Sequence, residues 1–113
     1  MNLNYIGGTP GSSGYVAIWE FRVSPANAAR FEQLYRPAGK WADFFRTGEG
    51  YLGTTLNRDV ENPLRYVTLD FWQSADAYHR FRQSHSGHYQ QIDAECESLT
   101  EQETHLGSFS VVE

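Results

Sequence analysis

Three of the four histidines of this chain, His79, His85 and His88, lie within the segment YHRFRQSHSGHYQQI, which runs from residue 78 to residue 92. An imidazole titrates near neutral pH, so it can act as a general acid or base toward a bound molecule. It can also bind a metal, or lie buried with its nitrogens bonded to the backbone or to a tyrosine. The chemistry therefore depends on the direction in which each ring points.

A metal site would need more than the two closest histidines. His85 and His88 are spaced i, i+3, a separation at which two rings can share one ion. The chain has no His-Glu-x-x-His motif, and the available third ligands, such as Glu20, Asp70 or His105, are distant in sequence. We therefore predict no metal at this segment.

A helical pattern gives the direction of the rings. At about 100° per residue, an arc of roughly 100° collects one apolar stripe that contains two of the histidines. The stripe consists of Tyr78, Phe81, His85, His88, Ile92, Cys96 and Leu99, with Tyr89 alongside. His85 and His88 are thus predicted to face the sheet or a space below the helix, and His79 to face solvent. Two interpretations stay open: hydrogen-bonded packing groups, or a catalytic base acting on a ligand.

Alternating and helical patterns predict the elements that hold this segment. The predicted strands are Tyr15–Val23, Tyr51–Asp59, Arg65–Trp72 and His105–Val112. One helix follows Ser24-Pro25 to about residue 46, with Pro37 and Gly39 expected to kink or split it, and another runs from the cap Ser74 to about Glu101. The order β-α-β-β-α-β predicts an α+β, ferredoxin-like fold, a four-stranded antiparallel sheet with both helices on one face. The uncovered apolar face predicts a homodimer.

Composition limits the partners. The net charge is −5 and the nine Lys and Arg residues are scattered, so we expect no nucleic acid partner. No apolar run approaches the roughly 20 residues of a membrane span, and no secretory leader is evident, so we expect a soluble, cytoplasmic protein. Residues 1–14 are rich in Gly and Ser and are expected to form a disordered tail before a single domain of residues 15–113.

Aromatic residues make up 15% of the chain and favour two different uses. They can line a pocket for a flat ligand, or they can provide buried area in a small core and a dimer interface. Trp19, Trp41 and Trp72 fit either use.

Four segments carry a resemblance to a known family: YVAIWEFRVSP, GKWADFFRTGEGYLGTTLNRD, RYVTLDFWQSADAYHRF and CESLTEQE. From Tyr15 onward the chain resembles the antibiotic biosynthesis monooxygenase-like family of dimeric α/β barrels. The resemblance implies that two sheets join into a barrel and that each subunit has a pocket between its own sheet and helices. The family includes oxygenases, haem-degrading enzymes and isomerases, so the reaction has to be argued from the site.

The oxygenase branch implies a function without a metal or flavin cofactor, because a deprotonated phenol can itself reduce O₂. Such an enzyme needs an apolar pocket for a small aromatic or quinol-type molecule, a base, and donors for the developing enolate. The residues predicted for these roles are Trp19, Trp41 and Phe81 as walls, His85 or His88 as the base, and Tyr78 or Tyr89 as a donor.

Two alternatives remain. A non-catalytic ligand-binding or dimer-interaction domain would use the same aromatics as core. A haem protein of the degrading branch would carry an Asn, a Trp and a His where this chain has Trp19, Phe81 and Gln91, so haem binding would require His88 to replace the missing ligand.

Overall fold

A computed structural model of the chain describes residues 14–112, so the predicted tail lies outside the described residues except for Gly14. The strands are β1 (Tyr15–Val23), β2 (Tyr51–Arg58), β3 (Arg65–Trp72) and β4 (Thr100–Ser110), and the α-helices are α1 (Ala28–Tyr35), α2 (Lys40–Phe45), α3 (Ala75–Ser84) and α4 (Ser86–Cys96). Short 3-10 turns occupy Pro25–Asn27 and Glu97–Leu99. The predicted ferredoxin-like order is confirmed, with each helical segment divided in two.

The four strands form one antiparallel sheet in the order β2-β3-β1-β4. Alternation along β1 places Ala17 and Phe21 under the helices, and the paired residues Asp70 and Tyr66 of β3 share that inner face. The pairing of β1 with β4 shifts register between Ile18 and Trp19, where Leu106 of β4 is the extra, unpaired residue.

Gly39 separates α1 from α2, as the proline and glycine in this segment predicted. A Cβ atom on Gly39 would lie 2.6 Å from the carbonyl oxygens of both Gln33 and Leu34, so only glycine fits the turn. The turn lets α2 place Trp41 and Phe45 in the core.

The second helical segment departs from the predicted pattern. Its start is confirmed, because the Ser74 hydroxyl accepts a hydrogen bond of 3.1 Å from the Ala77 amide. The helix then breaks at His85, whose φ of −125° and ψ of 26° are not helical. Strand β4 begins at Thr100, five residues before the predicted His105, because Thr100 already pairs with Val23 at the end of β1. The polar residues at the start of β4 thus form a strand because their backbone pairs with β1.

Aromatic side chains from both layers fill the core between the helices and the sheet. The most deeply buried include Phe31, Tyr66 and Trp72. On the opposite face of the sheet, Val16 and Phe71 are buried among half-buried aliphatic side chains. None of the described helices has the length and apolarity that crossing a membrane requires.

Candidate functional site

A cavity lies between the sheet and helices α1, α2 and α4. Its aromatic walls are Trp19, Phe21, Tyr35, Trp41, Phe45 and Tyr89. The cavity encloses about 370 Å³ that protein atoms do not occupy, measured up to its opening. The centre of a water molecule can reach only about 30 Å³ of this space. This is room for a water molecule and not for an aromatic ring, so a ring would have to displace side chains at the border.

Polar groups enter this aromatic cavity from the sheet. They are Thr54, Thr68, Asp70 and Glu103. Three of the four lie on the inner alternation of β2 and β3, where a sheet packed under helices normally carries apolar side chains. Polar residues at core positions need partners or a function, so these groups mark the cavity as the candidate site.

Asp70 is held by a short chain of hydrogen bonds. The Thr54 hydroxyl donates to Asp70 Oδ1 at 2.7 Å, and the Tyr51 hydroxyl lies 2.6 Å from Thr54 Oγ1. Because Thr54 gives its only proton to the carboxylate, Tyr51 is the donor in the second bond. Burial raises the pKa of Asp70 to about 6, although the Thr54 hydrogen bond partly opposes the shift. Asp70 can therefore exchange a proton near neutral pH.

The raised pKa predicts how Asp70 affects stability. The folded state holds the Asp70 proton more tightly than the unfolded chain does, since the pKa is about 6 against an ordinary 3.8. This favourable contribution is present below about pH 4 and is lost as the pH rises to about 6. Asp70→Asn keeps a neutral side chain of the same shape at every pH. In circular-dichroism melts, its Tm should equal that of the wild type near pH 4 and exceed it at pH 8 by about 4 °C or more. Equal Tm values at both pH values would contradict the prediction.

Glu103 is a second carboxyl at the cavity. Burial raises its pKa, and the negative charges of Asp93 and Glu97 raise it further. Glu103 pairs with Phe21 across β1 and β4, at a different point of the sheet from Asp70. The cavity thus holds two carboxyls whose surroundings favour the neutral form.

The Trp41 indole is one wall of the cavity, and its donor acts on the Tyr35 hydroxyl and the Cys96 thiol, where it opposes the rise in pKa that burial causes in both groups. The residue is only 7% exposed, and its indole Nε1 makes no well-formed hydrogen bond to residues 14–112. A buried N–H without a well-formed hydrogen bond costs free energy that a ligand oxygen would recover.

Three of the predicted site residues, Trp19, Trp41 and Tyr89, line the cavity. Phe81 packs instead against Trp72 and Phe44 in the core, with ring centroids 5.2 and 4.9 Å away. The Tyr78 hydroxyl accepts a hydrogen bond of 2.7 Å from Arg82.

His85 and His88 do not reach the cavity, which corrects the inward direction predicted for them. The His85 ring stacks on Phe81 at 4.5 Å, and the exposed His88 lies against Phe44 at 4.5 Å. Phe81 and Phe44 are buried and fill the space below both imidazoles. The physical reason is the break at His85, which rotates α4 relative to α3, so that one helical wheel does not describe both.

The hydrogen bonding of His85 fits a packing role. His85 Nδ1 lies 3.2 Å from the carbonyl oxygen of Phe81, and a carbonyl only accepts, so Nδ1 carries the proton there. Between residues 14 and 112, no group of three His, Cys, Asp or Glu side chains is arranged to hold a metal. A catalytic role for either histidine stays a prediction that this placement does not support.

From the sequence, Asp70 was a candidate only as a metal ligand, and Thr54, Thr68 and Glu103 were not predicted to belong to a site. The available signal was the polar side chains on the inner alternation of β2 and β3. Thr68 and Asp70 occupy two consecutive inner positions of β3, which differs from an ordinary core strand and can be recognised from sequence once the covered face is known.

Comparison with solved structures gives several similar proteins. An N-to-A mutant of SnoaB, a cofactor-independent oxygenase from Streptomyces nogalater, is 25% identical with a TM-score of 0.72, over 89% of this chain and 95% of that one. A Bordetella bronchiseptica protein and a Deinococcus radiodurans protein, both described as antibiotic biosynthesis monooxygenases, are 23% and 21% identical with TM-scores of 0.68 and 0.69. They cover 89% and 88% of this chain, and 99% and 93% of their own chains are matched. These two similarities support the fold alone.

A comparison with curated protein sequences found no match. The sequence model of the family described as antibiotic biosynthesis monooxygenase, in contrast, matches residues 14–95, which is most of the chain. That range contains β1 to β3 and all four helices up to the last turn of α4. The chain therefore belongs to the antibiotic biosynthesis monooxygenase family.

Proposed function

We propose that the protein is a monooxygenase-like enzyme that oxidises a small phenol or quinol in the helix–sheet cavity, with Asp70 as the base. The observation that carries this proposal is the Asp70 carboxyl at an aromatic cavity, hydrogen-bonded to Thr54 at 2.7 Å, where burial raises its pKa to about 6. A base of this pKa is largely ionised at neutral pH and is still basic enough to accept a phenolic proton in the transition state.

The proposed reaction balances without a further reductant. Asp70 takes the phenolic proton, and the electron-rich phenolate transfers one electron to O₂. The substrate radical and superoxide combine to form a C–O bond at the ring carbon that is CH in this phenolate and CH₂ in the keto tautomer of the substrate, and the resulting peroxide takes up the proton. Loss of water then breaks the O–O bond and leaves a ketone. One O₂ thus converts one CH₂ into C=O and yields one water, and the substrate supplies all the electrons.

Two features of the cavity support this assignment. The Nε1–H of Trp41, which makes no well-formed hydrogen bond to residues 14–112 and acts on the Tyr35 hydroxyl, is the donor that we assign to a developing enolate or carbonyl oxygen, the role of an oxyanion-stabilising group. The aromatic walls exclude water from the radical pair. Because the free space now admits only water, Tyr89, which is half-buried at the border, has to move when a ring enters.

The similarity to SnoaB, described as a cofactor-independent oxygenase, supports a reaction of this class. We test it with 1,8-dihydroxyanthrone as the substrate, after dialysis of the protein against EDTA. Oxygen uptake should saturate with anthrone and give one anthraquinone per O₂, and ¹⁸O₂ should place one labelled atom in the quinone. A rate no higher than autoxidation in buffer would refute the proposal for phenols of this type.

We also propose that two copies associate through the outer faces of their sheets. Ile18, Leu52, Leu69 and Val111 are half-buried on this face, and Phe109 is 51% exposed there. A second identical face would cover them in a symmetric, self-complementary contact. The helix–sheet cavity lies on the opposite face, so each subunit would keep its own cavity.

A further inference from the structure

An outer groove lies beside the cavity, on the other side of Tyr89. The space between its atoms amounts to about 690 Å³, including open solvent, and is lined by Arg82, Gln83, Ser86, Tyr89 and Gln90. Tyr89 belongs to both spaces, so its ring is the partition between them. A ligand that displaces Tyr89 to enter the cavity would have its outer end in this groove.

Arg82 is fixed in the groove by two tyrosines. Its Nη1 donates to the Tyr78 hydroxyl at 2.7 Å, and its guanidinium carbon lies 3.7 Å from the centre of the Tyr89 ring. Stacking on an aromatic ring and one hydrogen bond hold a long side chain that would otherwise be mobile. The other edge of the Arg82 guanidinium, formed by Nε and Nη2, makes no hydrogen bond to a described residue. A guanidinium edge of this kind can bind a carboxylate through two parallel hydrogen bonds.

The charge on Arg82 is not neutralised within the described part of the chain. Arg46, Arg58 and Arg65 each pair with a carboxylate, whereas Arg82 has no ion pair. The remaining groove residues are two amides, a hydroxyl and a phenol, and none is acidic.

The acidic groups closest to Tyr89 do not occupy the groove. Asp93 and Glu103 act on the Tyr89 hydroxyl from a distance, and neither lines the groove. In a chain of net charge −5, a held cation surrounded by neutral donors is a site for an anion.

We propose that Arg82 binds a carboxylate on the substrate and so determines which substrates the enzyme accepts. This inference rests on the proposed function. The substrate class is then a phenol or quinol that bears an acidic substituent, with its ring in the cavity and its carboxylate in the groove. The hydrogen bond from Arg82 to the Tyr78 hydroxyl does not depend on Tyr89, so it can keep Arg82 in place when Tyr89 moves and reduce the ordering cost of binding such a ligand.

The test compares two ligands of the same ring system, 2-naphthol and 6-hydroxy-2-naphthoate, by isothermal titration calorimetry at pH 7.5 and physiological salt. The wild type should bind the naphthoate about ten-fold more tightly, the gain of a charge-assisted contact. Arg82→Gln should abolish this preference, so that the ratio of the two Kd values falls to about one whatever the variant does to the Kd for 2-naphthol itself. Arg80→Gln is the matched control, because it removes the same charge from α3 outside the groove, and it should keep the preference.

Equal affinity of the wild type for both ligands, or a preference that survives in Arg82→Gln, would overturn the assignment of Arg82 and leave the proposed function standing. If neither compound binds, the aromatic cavity itself fails as a site, and the inference fails with it. Arg82→Lys gives a further check, because a point charge should retain only part of the preference.

Discussion

Asp70→Asn is expected to lower kcat on an accepted phenol by about 100-fold or more, the usual contribution of a positioned general base. Asparagine has nearly the same shape and can still accept the Thr54 hydrogen bond of 2.7 Å, so the cavity should keep its form. Steady-state oxygen uptake measures the effect, and circular dichroism confirms folding. A variant with more than half of the wild-type kcat would exclude Asp70 as the base.

The pH profile supplies a second readout of the same residue. Below a pKa of about 6 the Asp70 carboxyl holds its proton and cannot accept another. The wild-type kcat/KM should therefore rise with pH, with a midpoint near pH 6, and level off at about pH 7. Thr54→Val removes the hydrogen bond that lowers the Asp70 pKa, so its midpoint should move to higher pH. An unchanged midpoint would show that another group controls the reaction.

Histidine variants distinguish the two candidate bases. If Asp70 is the base, His85→Ala and His88→Ala lose packing against Phe81 and Phe44 but keep the pH midpoint near 6. If either imidazole is the base, its alanine variant loses turnover while Asp70→Asn keeps it. The two hypotheses therefore predict opposite patterns in one set of three variants.

Leu69→Glu is expected to convert the proposed dimer into a monomer at micromolar concentration. Leu69 is half-buried at the centre of the outer face and pairs with Ile18, so two carboxylates would be buried in one symmetric contact. An unpaired buried charge costs several kcal/mol, which is a large part of the free energy of a typical association. Sedimentation velocity gives the mass directly.

Val60→Glu is the matched control for this variant. Val60 is 98% exposed in the turn between β2 and β3, and the substitution adds the same charge. It should leave the sedimentation coefficient unchanged. A wild-type chain that sediments as a monomer, or a Leu69→Glu variant that still sediments as a dimer, would contradict the sheet-to-sheet contact.

The sequence was sufficient to predict the fold because local signals agreed with one another. Alternation in Tyr15–Val23, the cap at Ser74 and the glycine turn at Gly39 each specify an element without reference to the rest of the chain. The start of β4 was predicted too late because Thr100 joins the strand by pairing with Val23 of β1. A contact between segments this distant in sequence produces no alternating pattern in the residues around Thr100.

The candidate site was harder to predict for the same reason. The histidine stripe depended on one continuous helix, and a single non-helical residue, His85, changed the direction of everything after it. Asp70 acquires its raised pKa from helices and strands distant in sequence. Trp19 and Trp41, which were assigned to the walls, do line the cavity, because aromatic character alone favours burial in this small core.

At the register shift between Ile18 and Trp19, a wall of the cavity contacts the edge strand β4. Trp19, a cavity wall, stacks at 4.6 Å on His105 of the outermost strand. Any molecule that docks along this strand and shifts the imidazole also shifts the indole behind it. Ligand occupancy and docking would then be thermodynamically linked, so each would change the affinity of the other by the same factor.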